Sequence, residues 1–214
     1  MITISAFKWV PDFAPGQVCD LRARWALEEA ALPYKTRLLE QGDQAKPEYR
    51  ALQPFGQVPD LEEVGLVLFE SGAIVLHIGI RSETLLPRVP GAHARATQWV
   101  ITALNSIEPF VMNVAAIDLF YANEERAKLR WPGAVELVWK RLAALSESRA
   151  DRPYLDGDRF TAGDLMMTTV LRILKHTDLV TSDTHLAPYV ELYTSRPAFN
   201  RALEAQLGDF RQAA

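Results

Sequence analysis

The chain has 214 residues, 49% hydrophobic and 23% charged, with a net charge of −4. That make-up suits an ordinary soluble protein of one or two domains and carries no basic footprint for nucleic acid or an anionic membrane surface. Its one cysteine, Cys19, excludes an internal disulfide and a cysteine-built metal site.

The N-terminal MITISAFKWV alternates Ile2, Ile4 and Ala6 with polar neighbours, the period of a half-buried strand. It lacks the charged-then-apolar form of a secretion leader, and no apolar run in the chain is long enough to span a bilayer, so a reducing cytoplasm is the expected home. Val10 to Gly16 holds two prolines and a glycine and predicts a loop. From Asp20, read as the helix cap, Ala23, Ala26, Leu27 and Ala30 share a helical face with Glu28 and Glu29 outside, until Leu32-Pro33 ends the helix. Tyr34 to Leu39 reads as a strand, and Pro47 to Leu52 as a short helix in a polar loop.

Gln57-Val58-Pro59 enters a short strand, Glu62 to Gly65 turns the chain, and Leu66 to Phe69 returns as a second strand. Glu70-Ser71-Gly72 then opens an apolar helix over 73–80. If the Val58–Pro59 link is cis, the Val58 amide and carbonyl face outward, free to pair with an extended peptide. The Ser71 amide at a helix mouth suits a carboxylate, and Glu70 beside it suits an ammonium group. Such a site describes a receptor for a small γ-linked peptide. The element order is the thioredoxin-like plan.

Leu85 to Gly91 is the best linker, separating an expected domain at 1–84 from one at 92–214. The second half reads as helical throughout. Trp99, Leu104, Ile107, Val111 and Val114 recur at helical spacing with Pro109 expected to kink or divide the run, and Ala134 to Leu145 is a further amphipathic segment. Thr161 and Asp164 have capping-box spacing, with Phe160 placed as a staple against Leu165, before an apolar helix over 165–174. Arg196-Pro197 starts a closing helix. The four histidines are scattered without ligand spacing, so no metal site is expected.

The ordered run QVPDL…LFESGAI resembles the glutathione-binding half of the cytosolic glutathione transferases, and the box at Thr161 and the helix after Arg196 resemble their C-terminal domain. The resemblance implies an α/β thioredoxin-like N-terminal domain followed by an all-α domain. It implies that Val58, after which Pro59 is cis, pairs with the cysteinyl part of glutathione, that Glu70 and Ser71 hold its γ-glutamyl end, and that Gln57 lies near the glycyl carboxylate. Glutathione would be a substrate, conjugated to a small apolar electrophile held between the domains, and the enzyme a homodimer. Laid on Arg22-Ala23-Arg24-Trp25-Ala26-Leu27-Glu28, the family's thiol-activating position falls on Gln17, an amide donor where Ser or Cys is usual. Cys19, two residues on, is the alternative nucleophile, implying a glutathione-dependent isomerase or thiol reductase; Lys8 is a further candidate near the sulfur. Trp9, facing the cleft, and Trp99 and Asn105, both also readable as core packing, are the candidates for the second-substrate pocket. A non-catalytic glutathione-binding module is the remaining alternative.

Overall fold

The computed structural model describes residues 1–211. They pack as two units: residues 1–88 with the segment from Arg196 onward, and residues 89–195.

In the first unit the alternating pattern of β1 (Ile2–Phe7) buries Ile2, Ile4 and Ala6. α1 (Asp20–Glu29) crosses to β2 (Tyr34–Leu39), which runs parallel to β1 from Ile2↔Tyr34 to Phe7↔Leu39. After a 3-10 turn come α2 (Pro47–Arg50), β3 (Asp60–Glu63), β4 (Leu66–Phe69) and α3 (Ser71–Gly79). The sheet order is β2-β1-β3-β4, with β3 antiparallel to both neighbours. This is the expected thioredoxin-like plan, with one local difference. Glu62 and Glu63, read as turn residues, are in β3 because each has a cationic partner, Arg37 for Glu62 and Arg81 for Glu63, with the His77 ring also bonded to Glu63. The turn shrinks to Val64-Gly65, where Gly65 adopts φ +74°.

The second unit is helical. α4 (Pro90–Thr102) runs through a π-helical segment (Ala103–Ile107) into α5 (Glu108–Phe120), followed by α6 (Glu125–Arg149), α7 (Ala162–Leu171) and α8 (Leu186–Thr194). Pro109 cannot donate to the preceding turn, and the wider π turn before it absorbs that missing bond without dividing the rod. The continuous stretch Pro90–Phe120 is, by length and composition alone, long and apolar enough to cross a membrane. That corrects the expectation that no run reaches this length. Ala96, Val100, Ala103, Ile107, Val111 and Val114 along it are buried in the unit's own core, as a central bundle helix requires.

α7 is buried on every face. Its capping box forms as predicted. The Gly163 N–H donates to Thr161 Oγ1 at 3.2 Å, and the Thr161 N–H donates to Asp164 Oδ2 at 2.9 Å. Asp164 does more than cap: its Oδ1 also accepts from the Leu155 N–H and the Tyr189 hydroxyl. The Thr161 hydroxyl donates to Oδ2 as well, at 3.2 Å, and burial pushes the Asp164 carboxyl up to about 6 against these four donors. The Phe160 ring faces Tyr193 at 5.2 Å. α8 has no clear periodic signal; the Asp183 carboxylate starts it by accepting the His185 and Leu186 N–H groups.

α9 (Pro197–Arg211) packs with the first unit, not with the helices of the expected 92–214 domain. It runs along α1, tied by Arg196 to Glu29, Arg201 to Glu28, Arg24 to Asp209, and the edge-to-face pair Trp25–Phe199. This explains why Leu21 through Leu27 are all buried, Arg22 and Arg24 included, where the sequence showed one apolar face.

Candidate functional site

Strand register builds the site. Asp60 pairs with Phe69, so the residues just beyond them, Val58-Pro59 and Glu70-Ser71, lie at the same end of the β3–β4 hairpin. The Val58–Pro59 peptide is cis. The Val58 side chain is buried with Leu39 and Tyr49, while its backbone N–H and C=O have no backbone partner among the described residues.

A buried hydrogen-bond relay fixes this turn from behind. The Asp60 N–H donates to Ser5 Oγ at 2.8 Å, Ser5 and Tyr49 hydroxyls lie 2.9 Å apart, and the Tyr49 hydroxyl donates to the Gln57 carbonyl at 2.6 Å. A carbonyl only accepts, so Tyr49 donates to Gln57 and Ser5 must donate to Tyr49. Burial pushes the Tyr49 phenol well above its ordinary value. The Arg37 guanidinium, bonded to both Asp60 carboxylate oxygens at 2.9 Å, holds the other side of the turn. Gln57 itself is exposed.

Across from this turn, α3 begins. Its first amides have no intrahelical acceptor and carry the positive end of the helix dipole. Ser71 is nearly buried, and its Oγ accepts a 3.1 Å bond from Nη1 of Arg22, itself 4% exposed on α1. With Oγ accepting from Arg22, the Ser71 O–H is left as a donor. Glu70 adopts φ 72°, ψ 116°, a conformation that costs a non-glycine residue about 1–3 kcal/mol and recurs at binding sites. Its side chain is exposed and does not cap the helix.

The strand–helix turn before α1 carries the remaining candidates. Gln17 is half-buried, its N–H bonded to the Ala14 carbonyl at 2.9 Å, and its Nε2 is buried with no hydrogen-bond partner among the described residues. A buried NH2 without an acceptor is costly, by about 1–3 kcal/mol, and is ready to donate to an anion. Cys19 is half-buried at the N-cap of α1, and its side chain does not cap the helix. Asp20, read as the cap, is instead the first helical residue. It is fully buried, 2.8 Å from Arg24, and burial pushes its carboxyl up against that partner. Lys8 is taken up by Glu40 at 2.5 Å, and Trp9 is 62% exposed.

Trp99 and Asn105 lie in the second unit and do not share a lining. Asn105 is exposed on the π segment, beside a shallow depression formed with His93, Gln98 and Ile101. Trp99 is half-buried with its Cβ against Gly163 of α7: a methyl group on Gly163 would lie 2.5 Å from it. Packing accounts for Trp99. Sequence reasoning missed Arg22, Ser5 and Tyr49. Arg22 was visible as one end of a basic-apolar-basic run, but the Ser5–Tyr49 contact joins residues 44 apart with no local signature.

Residues 14–79 match the family model "Glutathione S-transferase, N-terminal domain". Glutathione S-transferase F11 of Arabidopsis thaliana is 30% identical over 183 residues, covering 78% of this chain and 82% of that protein. The disulfide-bond oxidoreductase YfcG of Escherichia coli (strain K12) is 26% identical over 204 residues, covering 86% and 90%. Among solved structures, the theta class glutathione S-transferase from Xanthomonas axonopodis pv. citri, with glutathione bound, superposes with a TM-score of 0.78 at 25% identity, over 94% of this chain and 96% of that one. The hairpin end, the helix mouth and these relatives agree: the chain belongs to the glutathione S-transferase family of enzymes.

Proposed function

We propose that this enzyme binds glutathione at the open end of the β3–β4 hairpin and conjugates it through its sulfur to a small apolar electrophile. The observation that carries this reading is the register-set meeting of unpaired Val58 backbone groups with the α3 N-terminus and the strained, exposed Glu70. An extended peptide pairs with Val58 as one more strand. The γ-glutamyl carboxylate takes the Ser71 hydroxyl and the first α3 amides, its ammonium group pairs with Glu70, and Gln57 reaches the glycyl carboxylate. The glutathione bound in the Xanthomonas relative supports the choice of ligand.

The chemistry needs a thiolate, because the thiolate is the nucleophile. The unspent Gln17 amide donates to that sulfur and favours its charged form. The S–C bond forms as the electrophile's leaving group departs with its electron pair, and the thiol proton passes to water. A cytoplasmic homodimer belongs to the same reading, supported by family membership alone.

A second reading, glutathione-dependent thiol–disulfide exchange through Cys19, is favoured by the place of Cys19 at a helix N-terminus and by the E. coli oxidoreductase relative. Calorimetry with glutathione and steady-state assay with an aryl chloride, on the wild type and the Gln17→Ala and Cys19→Ser variants, separate the two. Conjugation reduced in Gln17→Ala and retained in Cys19→Ser supports transfer. Conjugation undetectable, with disulfide reduction abolished by Cys19→Ser, supports exchange. Absence of glutathione binding contradicts both.

A further inference from the structure

Gln206, on α9, is 0% exposed and spends its whole amide on the turn that carries Gln17 and Cys19. Its Oε1 accepts the Gly16 N–H at 3.1 Å, and its Nε2 donates to the Val18 carbonyl at 3.3 Å and to Asp20 Oδ1 at 2.7 Å. Those three contacts bracket Gln17 on both sides and cover the step from loop to helix. We propose that Gln206 is a positioning residue for thiol activation: it holds the residue 16–20 turn so that the Gln17 amide points at the glutathione sulfur. The proposal rests on the glutathione-binding reading above and deepens it.

Two features make this more than a packing contact. First, Gln206 adds three bonds from a distant helix to the turn's short-range backbone bonds, among them Gln17 N–H to the Ala14 carbonyl at 2.9 Å and Leu21 N–H to the Val18 carbonyl at 3.0 Å. Residues 11–19 form no regular element, and Gly16, buried at φ +77°, has its N–H met by the Gln206 side chain. Second, the clamp is anchored. α9 is tied along α1 by Arg196–Glu29, Arg201–Glu28, Trp25–Phe199 and Arg24–Asp209, contacts that seat Gln206 against the turn it grips. A side chain nearly 190 residues away thereby sets the geometry of a loop amide, and thiol stabilisation by a hydrogen bond depends steeply on that geometry.

The test uses Gln206→Met, which keeps length and helix propensity but removes all three hydrogen bonds, beside Gln17→Ala and the double variant. The readouts are the ultraviolet thiolate absorbance of enzyme-bound glutathione against pH, the affinity for S-methylglutathione, which has no thiol, and the melting temperature. The expected result is a bound-thiol pKa raised by about one unit in Gln206→Met, a tenfold loss of thiolate near neutrality, with S-methylglutathione affinity kept within about twofold. The double variant should be no worse than Gln17→Ala, because the two residues act as one unit. A merely structural role predicts a lower melting temperature with the thiol pKa unmoved, and that overturns the proposal. So does a Gln17→Ala variant with wild-type thiol pKa, which holds even if Gln206→Met does not fold. A wild type that binds S-methylglutathione but leaves the thiol of glutathione at its solution pKa overturns the clamp's role alone; a wild type that binds neither overturns the binding reading with it.

Discussion

Tyr49→Phe removes one oxygen and almost no volume, so its effect isolates the relay behind the Val58–Pro59 turn. The tyrosine is 5% exposed, and Ser5 is fully buried. Without the phenol, Ser5 keeps a hydroxyl hydrogen with no acceptor in a dry site, and the Gln57 carbonyl loses its 2.6 Å donor. Gln57 is exposed enough for water to replace that donor; Ser5 is not. The structure therefore assigns most of the cost to one buried, unsatisfied donor, about 1–3 kcal/mol, with Phe preserving the packing against Leu39 and Val58. Urea unfolding measures the loss, and calorimetry with S-methylglutathione measures its consequence: a loosened turn presents Val58 less well, and affinity falls several-fold. A variant as stable as the wild type, binding the ligand equally, would refute the relay as the support of the site.

Thr161→Ala removes an ordinary N-cap and should cost about 1 kcal/mol of stability with glutathione affinity unchanged; lost affinity at an unchanged melting temperature would contradict a structural role. Gly163→Ala should cost more, about 1–3 kcal/mol, because its methyl would meet the Trp99 Cβ at 2.5 Å and neither helix has a flexible side-chain end there to yield; thermal unfolding reads it directly. Asp164 supplies a pH test. Its folded value, about 6, lies above the ordinary 3.8, so the folded chain holds this proton more tightly and its contribution is full below 3.8 and lost as pH rises through 6. The stability advantage of the wild type over Asp164→Asn should accordingly shrink between pH 4 and 7, by up to about 3 kcal/mol. A difference that grows with pH would show that the four donors outweigh burial.

What the letters carried well were features written in contiguous or regularly spaced residues. The hairpin with its proline, the helix mouth at Ser71 and the box at Thr161–Asp164 are all local chemistry, and each appears where its pattern put it. What they hid were contacts made across long separations. α9 reads as an amphipathic closing helix and nothing in its period tells which unit it covers. That depends on Arg24, which is buried between Asp20 on its own helix and Asp209 of α9. Asp20 has the letter of a cap but the geometry of an ion pair, and one residue of drift in the helix start separates the two. Pro109 predicted a kink or a division, and a single π turn accommodates it within one continuous rod. Glu62 and Glu63 looked like turn residues because strand propensity is weak evidence beside partners such as Arg37 and Arg81.

The central claim is that glutathione lies across the cis turn and the start of α3. Amide hydrogen exchange with and without S-methylglutathione reports on it residue by residue. Slowed exchange at Val58, Ser71 and Gly72, with the second unit's capping amide at Gly163 unchanged, is the result predicted here; ligand binding that leaves those three amides exchanging at their unliganded rates would contradict it.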